Sequence, residues 1–373
     1  MDFFQDSESR CLILVRAMAL AVSISLVILL CQKPIATFSF YLINCDSSIQ
    51  ALAQQYFNIR IWSAPATLAQ YVILGWFLGR QNTKCPLLIV ITTNLCNIFL
   101  DLLFVMHYGM QTEGVALASV LSEYTGLALG LMLIARNRSR CSRAICWSYL
   151  LQIDKIKAMM LINSHLFVRT LCLIFTFSFF TVQGEKFGTA ILAANAILMH
   201  FQTFMAYVLD GFAHAAEALV GRASGAKNKA LLQQSLRTTG FWSLVVALLF
   251  SLTFIVMGKD IINALTHLPE VREPAYEYLP WLTILPLISF YSFLMDGVFI
   301  GATLSRQMRD CILISLFVVF LPVWYYTQEM ANHGLWLALS LFMLFRSLIM
   351  AGYFAHYRKN WYRKVYKDCA GWE

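Results

Sequence analysis

The sequence predicts an all-α protein that crosses a membrane about ten times, in two lobes of four and six helices. Hydrophobic residues make up 59% of the chain and charged residues only 13%, whereas a soluble domain carries about 25% charged residues. The apolar residues gather in runs of about 20, the length that spans roughly 30 Å of hydrocarbon as a helix. A chain of this composition needs lipid to cover its surface, so a polytopic membrane protein is predicted.

The spans follow from the apolar runs taken in chain order. The ten runs lie at 11–31, 56–78, 86–106, 114–135, 159–181, 189–216, 238–257, 279–301, 311–327 and 334–355. Four of them form an N-terminal lobe (1–135) and six form a C-terminal lobe (159–357). A basic linker (136–158) lies between the lobes, and a basic tail (358–373) ends the chain.

Lysine and arginine residues are distributed unevenly between the loops on the two sides of the predicted membrane. Nineteen of them lie in one set of loops, and only four lie in the other set, namely Lys33, Lys186, Lys259 and Arg272. Because positive charge accumulates in cytoplasmic loops, we expect the first set and both termini to be cytoplasmic, in a cell inner membrane. The net charge of +8 is then a topology signal, so the expected partner is the lipid bilayer and not nucleic acid.

The two lobes are predicted to derive from an internal repeat. Residues 56–84 align with residues 278–306 without a gap, and both contain the pattern GxFxG, beginning at Gly75 and Gly297. Six spans separate the equivalent segments, so the repeat is parallel, as in many transporters. By this repeat the first half is two spans shorter than the second. We therefore expect a six-plus-six architecture reduced to four plus six.

The sequence lacks the usual signatures of enzymes and metal proteins. Its ten cysteines are scattered and form no CxxC pair. The glycine-rich segment 221–226 lacks the Lys-Ser/Thr ending of a phosphate-binding loop, and no GxSxG or HExxH motif occurs. We expect no enzyme activity, no metal centre and no cofactor beyond a coupling ion.

Ionisable side chains inside spans cost roughly 2.5–3.5 kcal/mol each and therefore mark candidate sites. Asn97 and Asp101 are four residues apart, so both project from one helix face. A carboxylate with an amide oxygen suits a sodium ion or a bound proton. The alternative is a polar contact that holds two helices together.

A second group of ionisable residues lies in the C-terminal lobe. Asp210, His214 and Glu217 are spaced i, i+4 and i+7, and such a stripe is unfavourable against lipid. With Asp296 and Arg169, these residues are predicted to line a substrate or proton cavity. The alternative is an ion-pair set that locks the helices, with Arg169 as the partner of Asp210, and for Glu217 this structural role is favoured.

Two prolines interrupt apolar spans at near-equivalent positions of the two halves. Pro65 lies in the second span and Pro286 in the eighth. Proline removes a helical hydrogen bond and kinks the helix. The sequence therefore predicts hinges at both positions, which suits lobes that rock.

Several segments resemble one transporter family. They are RIWSAPATLAQYVILGWFLG (60–79), NIFLD (97–101), EGVALASVLSEY (113–124), YVLDGFAHAAEALVGRASGAKN (207–228), FLMDGVFIGAT (293–303) and HGLWLAL (333–339). Together they resemble the multidrug and toxic compound extrusion (MATE) family, specifically its DinF branch, and the resemblance covers essentially the whole chain.

The resemblance implies a fold and a function. The family has twelve helices in two six-helix lobes around a central cavity, and exchanges organic cations and amphipathic toxins for protons or sodium. It implies that Asn97 and Asp101 build a cation site with a hydroxyl from the next helix, a position matched by Ser119. The family's first helix carries an acidic residue central to coupling, and this chain has no equivalent of it. We expect a monomer that acts on small-molecule xenobiotics.

Two alternatives remain open at the level of sequence. One is a flippase for lipid-linked precursors, which would need several arginines to meet a polyanionic headgroup. The arginines inside spans are Arg16, Arg60, Arg169 and Arg346. The other is an inactive, truncated remnant of the exporter.

Overall fold

A computed structural model describes the backbone of residues 2–43, 47–136 and 153–370. These residues form helices joined by short turns and contain no strand, which confirms the all-α prediction. The chain divides into two units, residues 1–156 and residues 157–373. Residues 137–152, most of the predicted linker, and residues 371–373 of the predicted tail lie outside the described residues.

In its described residues the first unit contains six α-helices. They are α1 (Asp2–Leu30), α2 (Gln32–Ile43), α3 (Ser47–Arg60), α4 (Ala64–Gly79), α5 (Lys84–Asp101) and α6 (Thr112–Arg136). A 3₁₀ turn, Ile61–Ser63, joins α3 to α4, and a π-helical turn, Leu102–His107, extends α5. Helices α4, α5 and α6 pack together, and the apolar core among them is built on Ile73, Phe77 and Ile89.

The second unit contains seven α-helices in its described residues. They are α7 (Ile153–Glu185), α8 (Thr189–Gly225), α9 (Lys229–Leu265), α10 (Pro269–Gly301), α11 (Ser305–Ile314), α12 (Leu321–Tyr326) and α13 (Ala331–Ala370). A π-helical turn, Ser315–Phe320, joins α11 to α12. Helix α10 lies at the centre of this unit, because α8, α9 and α13 all pack against it.

The predicted membrane spans are confirmed. Within the described residues ten helical segments are long and apolar enough to cross a membrane, and each overlaps one predicted span. Helices α8 and α9 have 37 residues each, which corresponds to about 55 Å at 1.5 Å per residue. Their ends therefore extend well beyond a hydrocarbon layer of roughly 30 Å.

Helices α8 and α10 approach each other to backbone contact. A Cβ atom at Gly297 would lie 1.8 Å from the carbonyl oxygen of Ala213. Since a backbone oxygen cannot move aside as a flexible side chain can, only glycine permits this approach. The contact places Asp296, the neighbour of Gly297, on the same level as Asp210, which precedes Ala213 by three residues.

The two predicted hinge prolines have different surroundings. Pro65 lies in the first turn of α4, directly after the 3₁₀ turn Ile61–Ser63, so the second span consists of two helices and a break. Proline is well tolerated at a helix start because its missing N–H would be unpaired there. Pro286 is buried inside α10, which continues without interruption through it. The hinge role of both residues stays a prediction.

Candidate functional site

The predicted cation-binding residues of the first unit lie along the contact between α5 and α6. Asn97 on α5 donates a hydrogen bond from its side-chain Nδ2 to Ser119 Oγ on α6, at 3.4 Å. Asp101 lies one helical turn further along α5, at its last residue. The spacing predicted one face for Asn97 and Asp101, and the hydrogen bond brings Ser119 to that face.

The Asp101 carboxylate is incompletely satisfied. Its Oδ1 is buried and has no hydrogen-bond partner among the described residues. The helix widens into the π-helical turn Leu102–His107 directly after it, and π-helical turns are frequent at functional sites. A buried carboxylate oxygen without a donor costs free energy unless a proton or cation occupies the position beside it. The residues present therefore fit a small cation or a proton.

Two further polar residues continue this face and were missed at the level of sequence. Gln70 on α4 donates from Nε2 to Thr93 Oγ1 on α5 at 3.3 Å. Thr93 precedes Asn97 by four residues, so the same i, i+4 spacing that links Asn97 to Asp101 would have found it. No comparable sequence signal points to Gln70, because its partner lies 23 residues away.

An ion pair braces the break in the second span. Arg60 Nη2 lies 3.5 Å from Glu123 Oε1 on α6, and Arg60 also donates to Ser63 Oγ. Next to this pair, the Tyr124 hydroxyl donates to the carbonyl oxygen of Trp62 at 3.1 Å. Glu123 and Tyr124 thus hold α6 to the turn that separates α3 from α4.

In the second unit, a buried carboxylate holds two arginines. Asp296 on α10 is 5% exposed, and both Arg169 from α7 and Arg346 from α13 donate to its Oδ2. Arg346 is 2% exposed. Ion pairs this deep in an apolar span require close compensation, since an uncompensated charge there is costly. The three charges tie α7, α10 and α13 together.

Asp210 lies near the cluster of Arg169, Arg346 and Asp296, but Arg169 forms its ion pair with Asp296. The charges of Asp296, Arg169 and Arg346 all act electrostatically on Asp210. The expected ion pair between Arg169 and Asp210 is replaced by the Arg169–Asp296 contact. The physical reason is burial: Asp296 is the more deeply buried of the two acids and has the greater need of a counter-charge.

The rest of the predicted stripe lies further along α8, toward its more exposed end. His214 Nδ1 and Glu217 Oε2 are 3.6 Å apart, and their side chains are 58% and 38% exposed. The pair is one turn beyond Asp210 on the same face. The described residues of this region therefore hold three acids against two arginines and one histidine, whereas the polar residues found on the face of Asp101 in the first unit are neutral.

The comparisons with known proteins agree on one family. A sequence model of the MatE family matches residues 8–103 and 166–326. The chain is 36% identical to DNA damage-inducible protein F of Escherichia coli (strain K12) over 358 residues, covering 93% of this chain and 75% of that protein. It is 24% identical to Protein DETOXIFICATION 45, chloroplastic, of Arabidopsis thaliana, covering 81% of this chain and 52% of that protein.

The comparison with solved structures points to the same family. It superposes on the crystal structure of the Vibrio cholerae MATE transporter VcmN in the bent form with a TM-score of 0.77, at 20% sequence identity. The superposition covers 95% of this chain and 78% of that one. The chain thus spans about three quarters of its E. coli and V. cholerae relatives, and about half of the Arabidopsis protein.

Proposed function

The chain belongs to the MatE family of membrane transporters, and from this premise we propose that it is a secondary active exporter. The proposed cargo is organic cations and other amphipathic toxins, and the proposed driving force is exchange for protons or sodium ions. The chain would act as a monomer in a cell inner membrane, with both termini in the cytoplasm.

The observation that carries this proposal is the unpartnered Oδ1 of Asp101. A carboxylate in an apolar span must be neutralised, and the polar side chains found on its face, Asn97 and Thr93, carry no charge. Among the described residues no cationic side chain lies within salt-bridge distance of Asp101, so we infer that the compensating charge is a proton or a small cation. A group that gains and loses such a charge is what an antiporter needs for coupling.

The second unit supports a role for Asp210 in meeting the cargo. Asp296 already holds two arginines, so its charge is not available to an organic cation. Asp210 is only partly buried and stands at the edge of the cluster, with His214 and Glu217 one and two turns away. We assign Asp210 to the cationic group of the cargo, and His214 with Glu217 to the more exposed approach to it.

The arginines argue against the flippase alternative. A polyanionic headgroup needs arginines whose charge is not already paired, but three of the four span arginines are paired with acids: Arg169 and Arg346 with Asp296, and Arg60 with Glu123. The fourth, Arg16, is only 6% exposed. Each of the three paired arginines would have to give up a carboxylate before it met a phosphate. The exporter hypothesis therefore fits the charged residues of the spans better, because it leaves these ion pairs intact.

The test is drug export by the 373-residue chain in cells that lack their own major exporters. Asp101→Asn keeps the size of the side chain and removes its charge, so ion-driven export of a fluorescent organic cation should fall to background. Glu113→Gln is the matched control, because Glu113 is an exposed acid at the start of α6, and its export should match the unsubstituted protein. Export that persists in Asp101→Asn would refute the proposal, and no export by the unsubstituted protein would favour the inactive remnant.

A further inference from the structure

A polar seam runs down the first unit from Asp101 toward its apolar core. Thr93, Asn97 and Asp101 follow one another at steps of four along α5, a distance of about 12 Å at 1.5 Å per residue. Ser119 on α6 accepts from Asn97, and Gly126, two turns further along α6, faces Thr93. The seam therefore extends two helical turns below the carboxylate.

Gln70 closes the inner end of this seam, and its hydrogen bonds fix which way its amide points. Thr93 Oγ1 donates to the carbonyl oxygen of Ile89 at 2.9 Å, so its single proton is already used. It can only accept from Gln70, which requires Nε2 of Gln70 on that side. The amide oxygen of Gln70 must therefore face away from the Thr93 proton.

That amide oxygen is buried and has no partner among the described residues. Gln70 as a whole is only 7% exposed. A buried carbonyl without a donor or a cation costs about 1–3 kcal/mol, and native structures contain few of them. An occupant that binds to oxygen is the simplest resolution.

Gly126 lets the two oxygens converge. A Cβ atom built there would lie 2.1 Å from Thr93 Oγ1 and 2.7 Å from Gln70 Oε1, so both oxygens border the same small region beside α6. Below it, Ile73 and Ile89 are fully buried and close the seam with apolar atoms. The inner end is thus a stop and not a passage through the unit.

We propose that Gln70 Oε1 and Thr93 Oγ1 form an inner subsite for a sodium ion, between α4, α5 and α6. The ion would complete its coordination with water. Asp101 is about 12 Å away along α5 and attracts the ion only weakly, so the binding rests on the oxygens around the ion. Both protein ligands are neutral oxygens, which suit a small hard cation. Neither an amide oxygen nor a hydroxyl oxygen takes up an additional proton at neutral pH. This proposal rests on the proposed exchange function and assigns sodium as the coupling ion.

The test is a sodium titration of the purified 373-residue chain in lipid nanodiscs, in which the thermal unfolding temperature is measured at each sodium concentration. Sodium chloride replaces choline chloride at constant ionic strength. The apparent Kd is taken from the concentration dependence, because a ligand at concentration L that binds only the folded state stabilises it by RT ln(1 + L/Kd). Gln70→Leu removes the orphan oxygen at similar volume and should raise the apparent Kd about tenfold or more. Gly126→Ala should do the same by separating the two oxygens.

Matched controls separate a binding effect from a packing effect. Gln202→Leu replaces another buried glutamine, in the second unit, whose amide atoms also lack partners among the described residues, so it tests whether an unpartnered amide alone is enough to bind sodium. Gly75→Ala adds a methyl group where nothing lies within 4 Å. Both should keep the original sodium Kd. A sodium Kd unchanged by Gln70→Leu, or no sodium effect in the unsubstituted protein, would overturn the subsite. If Asp101→Asn still abolished export in that case, the exchange function would stand without it.

Discussion

Asp101 and Asp296 are both carboxylates inside apolar spans, but the protein surrounds them in opposite ways. Each acid has a buried Oδ1 without a hydrogen-bond partner among the described residues. The difference lies in the counter-charge: Asp296 Oδ2 accepts from two arginines, whereas the polar groups along the face of Asp101 are an amide and hydroxyls. An acid whose charge is compensated inside the fold is fixed in place, whereas an acid without compensation is free to exchange a proton or an ion.

The comparison explains why one acid is suited to coupling and the other to architecture. Breaking a buried ion pair by removing one partner typically costs 3–5 kcal/mol, because the other charge is left uncompensated. Removing a lone buried carboxylate carries no such cost. Substitution of Asp101 should therefore affect export and not stability, whereas substitution of Asp296 should affect stability.

The largest expected effect is on stability at Asp296. Asp296→Asn leaves the charges of Arg169 and Arg346 uncompensated and should lower the free energy of unfolding by about 3–5 kcal/mol. Asp101→Asn should change it by less than about 1 kcal/mol while it abolishes export. The measurement is thermal or denaturant unfolding of both variants in the same detergent. Equal losses of stability at the two positions would contradict the division of roles.

The sequence repeat sharpens the comparison between the two units at a second pair of positions. Gly75 and Gly297 are equivalent in the repeat, yet Gly75 faces open space while Gly297 touches the backbone of Ala213. Gly297→Ala should cost about 1–3 kcal/mol, the usual range for overpacking. Gly75→Ala should be neutral or slightly stabilising, because alanine favours the helix. Unfolding of the two single variants measures the difference, and similar costs would show that the two glycines have the same packing role.

Much of the fold could be predicted because it depends on local features. Each span is a run of apolar residues, and the pairing of Asn97 with Asp101 follows from helical periodicity. The partners of Asp296 could not be predicted, since Arg169 is 127 residues away and Arg346 is 50 residues away. Both arginines lie inside spans, but periodicity within a helix says nothing about which helices pack together. For the same reason, the sequence predicted Asp210 and not Asp296 as the partner of Arg169.

The candidate site was predicted in part for the same reason. Asp101 and Asn97 came from spacing, and Ser119 came from a family resemblance. Gln70 was out of reach, because its contact with Thr93 depends on how α4 packs against α5. The π-helical turns after Asp101 and after Ile314 were also unpredicted, since they depend on a single extra residue per turn.

The smallest expected effect tests whether burial decides the strength of an ion pair in this protein. Arg60 and Glu123 lie 3.5 Å apart, and their side chains are 32% and 19% exposed. Arg60 also keeps its hydrogen bond to Ser63 when Glu123 is replaced. Glu123→Gln should therefore cost less than about 1 kcal/mol, as for partly exposed pairs elsewhere, against the several kcal/mol expected at Asp296. Unfolding measurements on Glu123→Gln and Asp296→Asn give the ratio directly. A cost at Glu123 that rivals the cost at Asp296 would mean that bracing the break near Pro65 matters more than the depth of the charge.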